Sequence, residues 1–405
     1  MSDFIGAIDL GSTKVAVVIA NLSEKNEELE LIGFSMIPSK GISYGVINDI
    51  QEASACIKEA VQRAVRMAGI RSIPKMIATI SGEKITAIPS RGMIIVKSRE
   101  QEVTESDVRR AIEAAKATSI PEDREVIYHV VRGFRLDGQN GIMNPIGMIG
   151  TRLESDLLLV THDKVQLRNI INAFQKAEIN IEGFIPQEIA ASEAVLTPEE
   201  KNLGVVLVDI GGDLTNLAVF KEGYLYAIGI LKLGGERITK DIAITLKIPT
   251  EEAERAKKII GTLKEEKEES LEVMSLQQKR IKINTSQVRE IIQPRVEEIL
   301  DFVLKKLEEL NSPIELIPGG IVITGGTALL DGLEEFAQEY LKVPVRVSRS
   351  LRVYNIFEEK DAVFYSSAVG ALERITRTVS TDESSKNFLD YLKEIFKNIF
   401  SPFKE

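Results

Sequence analysis

The alternation of apolar and polar positions predicts an α/β protein whose opening pattern occurs twice. Residues 4–37 contain two or three apolar strands with a polar turn near 21–28, and residues 47–68 carry apolar side chains at helical spacing. A further strand is expected at 74–81. The strand–turn–strand opening begins again at Val205, so the pattern predicts two related halves.

A compact insert interrupts the first half. Over residues 84–162 the pattern predicts a strand at 92–97, a helix at 104–117, and strands near 126–136 and 152–160. The first half then continues with alternating helices and strands. These elements are a helix at 164–176, a strand at 179–185, a helix at 187–196 and a polar break between the halves at 197–202.

The second half contains a charged helical part and a strand that ends in a glycine pair. Residues 236–310 are expected to be mostly helical, and the Lys/Glu run at 264–272 indicates a solvated helix or loop. A buried strand at 318–326 is predicted to end in this pair. The remaining predicted elements are a helix from about Leu333, a strand at 343–347 and a last helix at 361–375.

A polar stretch at 378–385 separates this globular part from an apolar stripe at 387–403. Such a stripe most simply belongs to a terminal helix packed on the protein's own core. The polar stretch and the five aromatic residues of the tail favour instead an amphipathic helix in a membrane interface, inserted by apolar side chains more than by charge. The residues expected to face lipid are Phe388, Leu392, Ile395, Phe396, Ile399, Phe400 and Phe403.

Composition narrows the class of protein. The 405 residues are 44% hydrophobic and 28% charged, as in ordinary soluble proteins, and allow two or more domains. The net charge of −10 argues against nucleic-acid binding. The single Cys56 excludes an internal disulfide, and neither His129 nor His162 has neighbours at metal-ligand spacing. No apolar run approaches the ~20 residues that span a bilayer.

Two short segments carry the same potential chemistry. Each is an apolar strand that ends in Asp, at Asp9 and at Asp209, followed by a glycine-containing turn and a second apolar strand. Glycine allows close approach of a ligand, turn N–H groups suit phosphate oxygens, and the Asp can hold Mg²⁺ through water. One such turn closes many ordinary hairpins, but two facing each other would bind a nucleotide. The residues expected at the phosphates are Gly11, Ser12, Thr13, Lys14, Gly211, Gly212 and Thr215.

Three further segments support a nucleotide site through their combined order and spacing, although each alone is more simply a turn, a helix cap or a charged surface. One glycine pair, at a strand end, leaves bare backbone for adenine or ribose. Another, at a helix start, offers N–H groups to phosphate or ribose. A charged helix face suits ribose hydroxyls and an adenine edge. The residues, in that order, are Gly325, Gly326, Gly234, Gly235, Glu254, Lys257 and Lys258.

This ordered set of motifs resembles the actin-like ATPase superfamily over roughly residues 4–375. The resemblance implies a duplicated actin-like (ribonuclease H-like) fold, in which two lobes enclose a cleft for ATP and Mg²⁺. It makes residues 9–13 and 209–215 the two phosphate loops. The residues it assigns to catalysis are Asp9 and Asp209, which also hold Mg²⁺ through water, and either Gln187 or Glu188, between which spacing does not decide.

Within the superfamily, the chain is similar to the FtsA family of bacterial cell-division proteins. The element order of residues 84–162, the segment 183–204, the glycine-containing run 39–49 and the membrane tail carry this resemblance. It implies a peripheral protein on the cytoplasmic face of the cell membrane at the division septum. Such a protein assembles into actin-like filaments, anchors the FtsZ ring and recruits later division proteins.

The same resemblance places a partner site in the charged helical part. In the family, the C-terminal peptide of FtsZ, which is short and acidic-apolar, docks on the segment similar to residues 288–304. Arg289 and Arg295 are the basic residues expected to meet its carboxylates. A solvated surface charge explains Arg289 more simply, so Arg295 is the better candidate.

The second phosphate loop departs from the family pattern. Many relatives carry three glycines followed by Thr, whereas Asp213 and Leu214 precede Thr215 here. A carboxylate near a triphosphate raises the cost of binding it, so we expect at most a slow ATPase whose nucleotide serves assembly. Two alternatives stay open, a type IV pilus adaptor resembling PilM and a small-molecule kinase of the same superfamily.

The motifs and the resemblance together give an expected division of the chain into two lobes, two subdomains and a tail. The parts are a first lobe (1A) of residues 1–83, 163–196 and 350–377; an inserted α+β subdomain (1C) at 84–162; a second lobe (2A) of 197–235 and 311–349; a helical subdomain (2B) at 236–310; a linker at 378–386; and an amphipathic membrane-targeting helix at 387–405.

Overall fold

The structure is a computed structural model, and the residues that it describes are 3–22, 29–98, 100–117, 120–266, 268–310, 312–314, 317–348 and 361–380. The predicted tail helix at 387–405, with all its lipid-facing residues, lies outside them. Residues 378–380 of the predicted linker are described and continue the last helix, which corrects the linker's start. No helix in the described part of the chain is long and apolar enough to cross a membrane.

The first half alternates strands and helices much as the hydrophobic pattern predicts. Its elements in chain order are β1 (Asp3–Leu10), β2 (Lys14–Leu22), β3 (Leu29–Pro38), β4 (Ile42–Ser43), β5 (Val46–Ile47), α1 (Ile50–Ala68), β6 (Lys75–Ile80), β7 (Thr86–Ile95), α2 (Glu105–Lys116), β8 (Arg124–Leu136), β9 (Gln139–Ile142), β10 (Arg152–Asp163), α3 (Lys164–Lys176), β11 (Ile181–Pro186), α4 (Gln187–Val195) and α5 (Pro198–Leu203).

The second half opens with the same hairpin and then adds helices. Its elements are β12 (Val205–Ile210), β13 (Thr215–Lys221), β14 (Tyr224–Leu231), α6 (Gly235–Leu246), α7 (Thr250–Ile260), β15 (Ser270–Met274), β16 (Arg280–Asn284), α8 (Thr285–Glu309), β17 (Ile321–Thr324), a 3-10 turn (Gly326–Leu329), α9 (Leu333–Leu341), β18 (Val345–Val347), a second 3-10 turn (Ala362–Tyr365) and α10 (Ser366–Ser380).

Two five-stranded sheets share one topology, which confirms the duplicated two-lobed fold. The first has the order β11-β6-β1-β2-β3, and the second has the order β18-β17-β12-β13-β14. In each, the opening strand pairs antiparallel with its hairpin partner and parallel with a later strand. The opening strands are buried along most of their length because both faces of each sheet are covered.

The insert is a separate four-stranded antiparallel sheet, ordered β7-β10-β8-β9, with α2 packed on one face. Helix α2 begins with the capping box expected for Thr104 and Asp107. The first strand is Thr86–Ile95 rather than 92–97, since its pairing with β10 starts at Thr86. Gly92 permits this packing, because a Cβ there would collide with backbone atoms of α2.

The charged helical part contains a β-hairpin that the sequence reading missed. Strands β15 and β16 pair from Ser270↔Asn284 to Met274↔Arg280, so the predicted loop or helix at 264–272 ends in a strand. Val273 and Ile283 are buried beneath the hairpin. Charged residues occupy the alternate, outward positions and conceal this short period-2 pattern within a Lys/Glu-rich segment.

The halves are joined by α4 and by α5, which replaces the polar break predicted at 197–202. A capping box from Thr197 to Glu200, with Pro198 at the first turn, explains why this polar stretch is helical. Helix α10 packs against α4 at Gly370, where a Cβ would collide with the Ala190 carbonyl. The last helix of the chain's described part is therefore fixed against the joint between the lobes.

Candidate functional site

The tips of the β1–β2 and β12–β13 hairpins meet across a cleft between the lobes. Each tip is closed by a hydrogen bond of 2.9 Å from a glycine N–H to the carbonyl three residues later. A Cβ on Gly212 would collide with the Thr13 side chain, so the first tip (residues 9–14) and the second tip (residues 209–214) are in direct contact. The two hydrogen-bonded pairs are Gly11 with Lys14 and Gly211 with Leu214.

Both tips line one cavity of about 680 Å³. Most residues predicted for the nucleotide lie on its wall, although the sequence separates them by more than 300 positions. Those on the wall are Asp9, Gly11, Ser12, Thr13, Lys14, Gln187, Asp209, Gly211, Gly212, Gly235, Glu254, Lys257, Lys258, Gly325 and Gly326. The predicted residues that are not among its lining are Glu188, Thr215 and Gly234.

Hairpin register explains the position of Thr215. In β12–β13 this residue takes the place that Val15 takes in β1–β2, inside the strand. Its side chain is buried, and its hydroxyl donates to the Leu233 carbonyl at 2.7 Å. The expectation of Thr215 at the phosphates is thereby corrected: the second-tip residue equivalent to Thr13 is Asp213.

The Asp9 carboxylate is held by donors from three elements. Lys14 Nζ lies 2.9 Å from Oδ2, while Thr79 Oγ1 and Gln187 Nε2 donate to Oδ1 at 2.7 and 2.5 Å. Lys14 also donates to the Phe364 carbonyl, which links the first tip to the segment before α10. These contacts fix the carboxylate at the bottom of the cleft.

Asp209 and Glu188 have a different environment. No side chain in the part of the chain that the structure describes donates a hydrogen bond to either carboxyl group. Burial, with a smaller effect from the negative charge of Asp9, raises the pKa of Asp209 to about 6, against the opposing charge of Lys14. Burial raises the pKa of Glu188 to about 8, against a hydrogen bond with its own backbone and with a smaller contribution from the charge of Asp209, so Glu188 is mostly protonated at neutral pH.

Gln187, rather than Glu188, is the residue of this pair that faces the cleft. Its Nε2 donates to Asp9 and, at 3.3 Å, to the Leu10 carbonyl. Its Oε1 is within 3.5 Å of Asn216 Nδ2. The structure thereby separates the two candidates that spacing left open: Glu188 is fully buried behind the cleft wall.

The glycine pair before α6 packs against the second tip. The Gly235 N–H donates to the Gly211 carbonyl at 2.9 Å, and the next N–H, of Glu236, donates to the Gly212 carbonyl at 2.8 Å. A Cβ on Gly234 would collide with these carbonyls. The expectation that this pair offers N–H groups to a phosphate is therefore corrected for Gly235, whose N–H is already used within the protein.

The charged face of α7 forms one wall of the cleft. Lys257 Nζ contacts Glu254 at 2.6 Å and donates to the Gly235 carbonyl at 3.0 Å, and Lys258 Nζ lies 3.1 Å from Glu254. Burial raises the pKa of Glu254, but the charges and hydrogen bonds of the two lysines and Thr239 outweigh burial and leave this pKa below its usual value. The carboxylate is therefore ionised at neutral pH.

The second glycine pair follows β17 at the bottom of the cleft. Gly325 has φ +90°, and a Cβ there would collide with the Asp209 carboxylate and the Ile210 carbonyl. A Cβ on Gly326 would lie 3.1 Å from the Phe364 ring. Glycine is thus required here for the close approach of β17 to the second tip. The absence of side chains also leaves this part of the cavity wall open.

Sequence reasoning missed part of the cleft wall on the segments after β17 and before α10. Apart from Asp361, these residues are hydroxylic or apolar, and their types carry no specific signal. The missed lining residues include Thr327, Leu329, Leu330, Asp361, Val363, Phe364, Ser366 and Ser367.

The carboxylates of the cleft fit a hydrated cation better than a metal centre built by protein alone. Within the described ranges, no group of three or more His, Cys, Asp or Glu side chains is arranged to hold a metal ion. Asp9 and Asp209 both line the cavity, and Mg²⁺ typically binds one or two carboxylates together with water and phosphate oxygens. This pair therefore suits Mg²⁺ that arrives with a polyphosphate.

The two arginines predicted for a partner peptide lie on α8, away from the cleft. Arg295 Nε pairs with Asp241 on α6, and its Nη1 lies 2.6 Å from Glu298. Arg289 donates to the backbone carbonyls of Lys264 and Glu265 at 2.8 and 3.2 Å. Both guanidinium groups thus have partners within the chain, and the Arg295 side chain remains 29% exposed.

Similarity to solved structures agrees with this architecture. The PilM–PilN type IV pilus biogenesis complex contains a chain that is 17% identical with a TM-score of 0.63, covering 92% of this chain and 98% of that one. MreB5 of Spiroplasma citri bound to AMPPNP is 16% identical with a TM-score of 0.57, covering 94% and 99%. These likenesses show the actin-like fold.

Family models and curated relatives identify the branch. The model described as "SHS2 domain inserted in FTSA" matches residues 82–161, and the model "Cell division protein FtsA" matches residues 206–370. The Bacillus subtilis cell division protein FtsA is 37% identical over 84% of this chain and 78% of its own length. The Neisseria meningitidis FtsA is 32% identical over 91% and 89%. The chain belongs to the FtsA family of cell division proteins.

Proposed function

We propose that the chain binds ATP between the two hairpin tips, with hydrated Mg²⁺ near Asp9 and Asp209. The observation that carries this proposal is that two equivalent tips, each with the same closing hydrogen bond, contact each other at one cavity of about 680 Å³. Glycines leave the wall of this cavity open to a ligand, and the two carboxylates also line the cavity. The S. citri MreB5 structure, which has the same fold, is bound to AMPPNP.

Turnover is slow in this proposal because Gln187 is already engaged. Its Nε2 is hydrogen-bonded to Asp9, and its Oε1 is close to Asn216. An amide that orients an attacking water needs one of these groups free to reach it. ATP therefore serves mainly to close the lobes, and any hydrolysis requires Gln187 to leave this arrangement.

The biological role that we propose is to link the FtsZ ring to the inner face of the cell membrane. Membership of the FtsA family supports a role in cell division, and the actin-like fold supports self-assembly into filaments. The amphipathic stripe at 387–403 would provide the membrane contact, and the polymer would recruit later division proteins through the insert at 84–162. The proposed units remain two lobes (1A and 2A), two subdomains (1C and 2B) and a tail.

The proposed site for the FtsZ C-terminal peptide is the α8 surface around Arg295. An acidic peptide would share this guanidinium with Asp241 and Glu298, which limits the strength of any single contact. Arg289 is the weaker candidate because backbone carbonyls already accept its N–H groups. A helix surface with several partly exposed basic side chains suits a short acidic-apolar peptide.

Co-sedimentation with lipid vesicles tests the linking role in one assay. Full-length chain, FtsZ and vesicles of mixed anionic and neutral lipid are centrifuged together. We expect FtsZ to pellet only when the chain is present. Truncation of 387–405 should abolish pelleting of both proteins, while Arg295→Glu should release FtsZ alone by roughly ten-fold or more. Arg255→Glu, on α7, is the matched control and should change neither.

Other outcomes of that assay point to other functions. If the truncated chain still binds vesicles, the tail is not the anchor. If FtsZ never pellets but a pilus-assembly peptide binds the chain, the adaptor alternative is correct, which the structural likeness to a PilM chain alone does not establish. Phosphorylation of sugars or carboxylates at ordinary kinase rates would support the kinase alternative.

A further inference from the structure

The Asp213 side chain, which interrupts the glycine run of the second tip, contacts the opposite lobe. Its Oδ2 accepts a hydrogen bond from the Tyr44 N–H at 3.0 Å, and Asp213 is only 9% exposed. Tyr44 lies in the turn between β4 and β5 of the first lobe. This hydrogen bond therefore joins the two lobes at the rim of the cleft.

The turn presents its N–H in a fixed direction. Tyr44 and Gly45 have φ values of +51° and +74°, the signs found in a type I′ turn, where Asn-Gly is favoured. A Cβ on Gly45 would collide with the Ser81 carbonyl, so the turn packs directly on the residues that follow β6. Tyrosine is uncommon in this conformation and needs supporting contacts. The Asp213 carboxylate provides one.

A lysine of the second lobe reaches the same turn. Lys232, which follows β14, forms an ion pair with Glu83 of the first lobe. Its Nζ also lies 5.8 Å from the centre of the Tyr44 ring, within the range of a cation–π contact. A hydrogen bond from Ser81 Oγ to Asn216 Oδ1, 2.5 Å long, crosses the cleft nearby. Two contacts from the second lobe, those of Asp213 and Lys232, thus hold the Tyr44 turn, and two further contacts join the lobes beside it.

We propose that Asp213 is a positioning residue that closes the cleft: it holds the second tip against the Tyr44 turn and does not bind the nucleotide. The proposal rests on the nucleotide site proposed above, because tips held together keep both sets of N–H groups around the same phosphates. Asp213 also lines the cavity, so its charge could instead repel phosphate. The two roles predict opposite effects of removing the carboxylate.

Amide hydrogen exchange at Tyr44 tests the contact directly. The full chain is measured without nucleotide, in peptides that overlap at Tyr44. Asp213→Ala should speed exchange there by roughly ten-fold or more, since the hydrogen bond to a charged acceptor is lost. Asp213→Asn keeps an acceptor oxygen and should restore most of the protection. Glu251→Ala, an acid of the second lobe outside this contact, is the matched control and should change nothing at Tyr44.

Nucleotide affinity separates positioning from repulsion. Binding and release of a fluorescent ATP analogue with Mg²⁺ are compared across the same variants. Asp213→Ala should weaken binding by roughly three- to ten-fold and speed release, whereas Asp213→Asn should remain near wild type. Lys232→Ala, whose side chain is not part of the cavity wall, should shift affinity in the same direction by a smaller factor.

These experiments distinguish failure of the positioning role of Asp213 from failure of the proposed nucleotide site. If Asp213→Ala and Asp213→Asn both bind ATP more tightly than wild type, the carboxylate repels phosphate and the proposal is wrong. If Tyr44 exchange is unchanged in Asp213→Ala, the contact does not close the cleft. If the wild-type chain binds no nucleotide, the proposed site fails, while exchange at Tyr44 still decides the contact. Should Asp213→Ala unfold, Lys232→Ala and Asp213→Asn carry the same comparison.

Discussion

The two hairpin tips have the same backbone but different charges. Each closes with a glycine N–H bonded to a carbonyl at 2.9 Å, yet the carbonyl belongs to Lys14 in the first tip and to Leu214 in the second. Asp9 is held by three donors, whereas no side chain of the described residues donates a hydrogen bond to Asp209. The duplicated fold thus preserves the backbone of the tip, while one carboxylate is held by three side-chain donors and the other by none of the described side chains.

Removing the two carboxylates in turn should give the largest difference in stability between the tips. Asp9→Ala leaves the Lys14 ammonium, Thr79 and Gln187 without their acceptor, so we expect a loss of about 2–4 kcal/mol in the free energy of unfolding. Asp209→Ala should change it by less than about 1 kcal/mol, because no donor loses a partner. Urea denaturation at pH 7 without nucleotide measures both. Equal losses would contradict the proposed asymmetry.

The buried Glu188 should make stability fall as pH rises. Its folded-state pKa of about 8 lies above the value of about 4.3 expected when unfolded. The folded chain therefore holds this proton more tightly, and the resulting stabilisation, complete below about pH 4, is lost between pH 4 and 8. Glu188→Gln should reduce the dependence of unfolding free energy on pH by about 1.4 kcal/mol per unit between pH 5 and 8.

Urea denaturation at several pH values measures this slope. Asp209, with a pKa of about 6, contributes in the same direction up to that pH and remains in the variant. The control is Glu251→Gln, which should leave the slope unchanged because Glu251 is exposed. A variant slope equal to that of wild type would show that Glu188 is ionised in the folded chain.

The equivalent positions Lys14 and Leu214 allow a matched test of charge. Lys14→Met should weaken ATP binding by roughly ten-fold, because the first tip loses the cation that pairs with Asp9 on the cavity wall. It should also raise the pKa of Asp209 further, since the charge of Lys14 lowers it. Leu214→Met should leave affinity within about two-fold. Equal effects of the two substitutions on ATP affinity would show that the charge of Lys14 does not contribute to binding.

Thr13 and Thr215 give the smallest and most specific contrast. Thr215→Val removes a buried hydrogen bond to the Leu233 carbonyl and should cost about 1 kcal/mol of stability, with ATP affinity unchanged. Thr13→Val should weaken ATP binding more than it affects stability, because Thr13 lies at the tip. Thermal unfolding and nucleotide titration of both variants check this. A loss of ATP affinity in Thr215→Val, without one in Thr13→Val, would show that Thr215 does contribute to the phosphate site.

The repeated Asp-Gly hairpins and the order of elements could be predicted because they depend on local patterns. Apolar strands and a glycine turn specify each tip, and the duplication specifies that the tips face each other. The site residue Thr215 was misplaced because it was matched to Thr13 by residue type, whereas hairpin register pairs it with Ile210 inside the strand. Register depends on pairing with the partner strand.

Other features depend on contacts between distant segments and were not predictable. The Gly235 N–H donates to the Gly211 carbonyl, and Lys14 donates to the Phe364 carbonyl 350 positions away. The hairpin at Ser270–Met274 was concealed by outward-facing charged residues. The role of Asp213 also changed: the sequence presents it as a negative charge near phosphates, and only its hydrogen bond to Tyr44 reveals another partner.

Titration of the full-length chain with ATP, with and without Mg²⁺, tests the central claim most directly. The account predicts saturable binding of one ATP per chain, strengthened by Mg²⁺ and lost or strongly weakened in Asp9→Ala that remains folded. Absence of saturable binding, or binding that is indifferent to both Mg²⁺ and Asp9, would contradict a nucleotide site between the two hairpin tips.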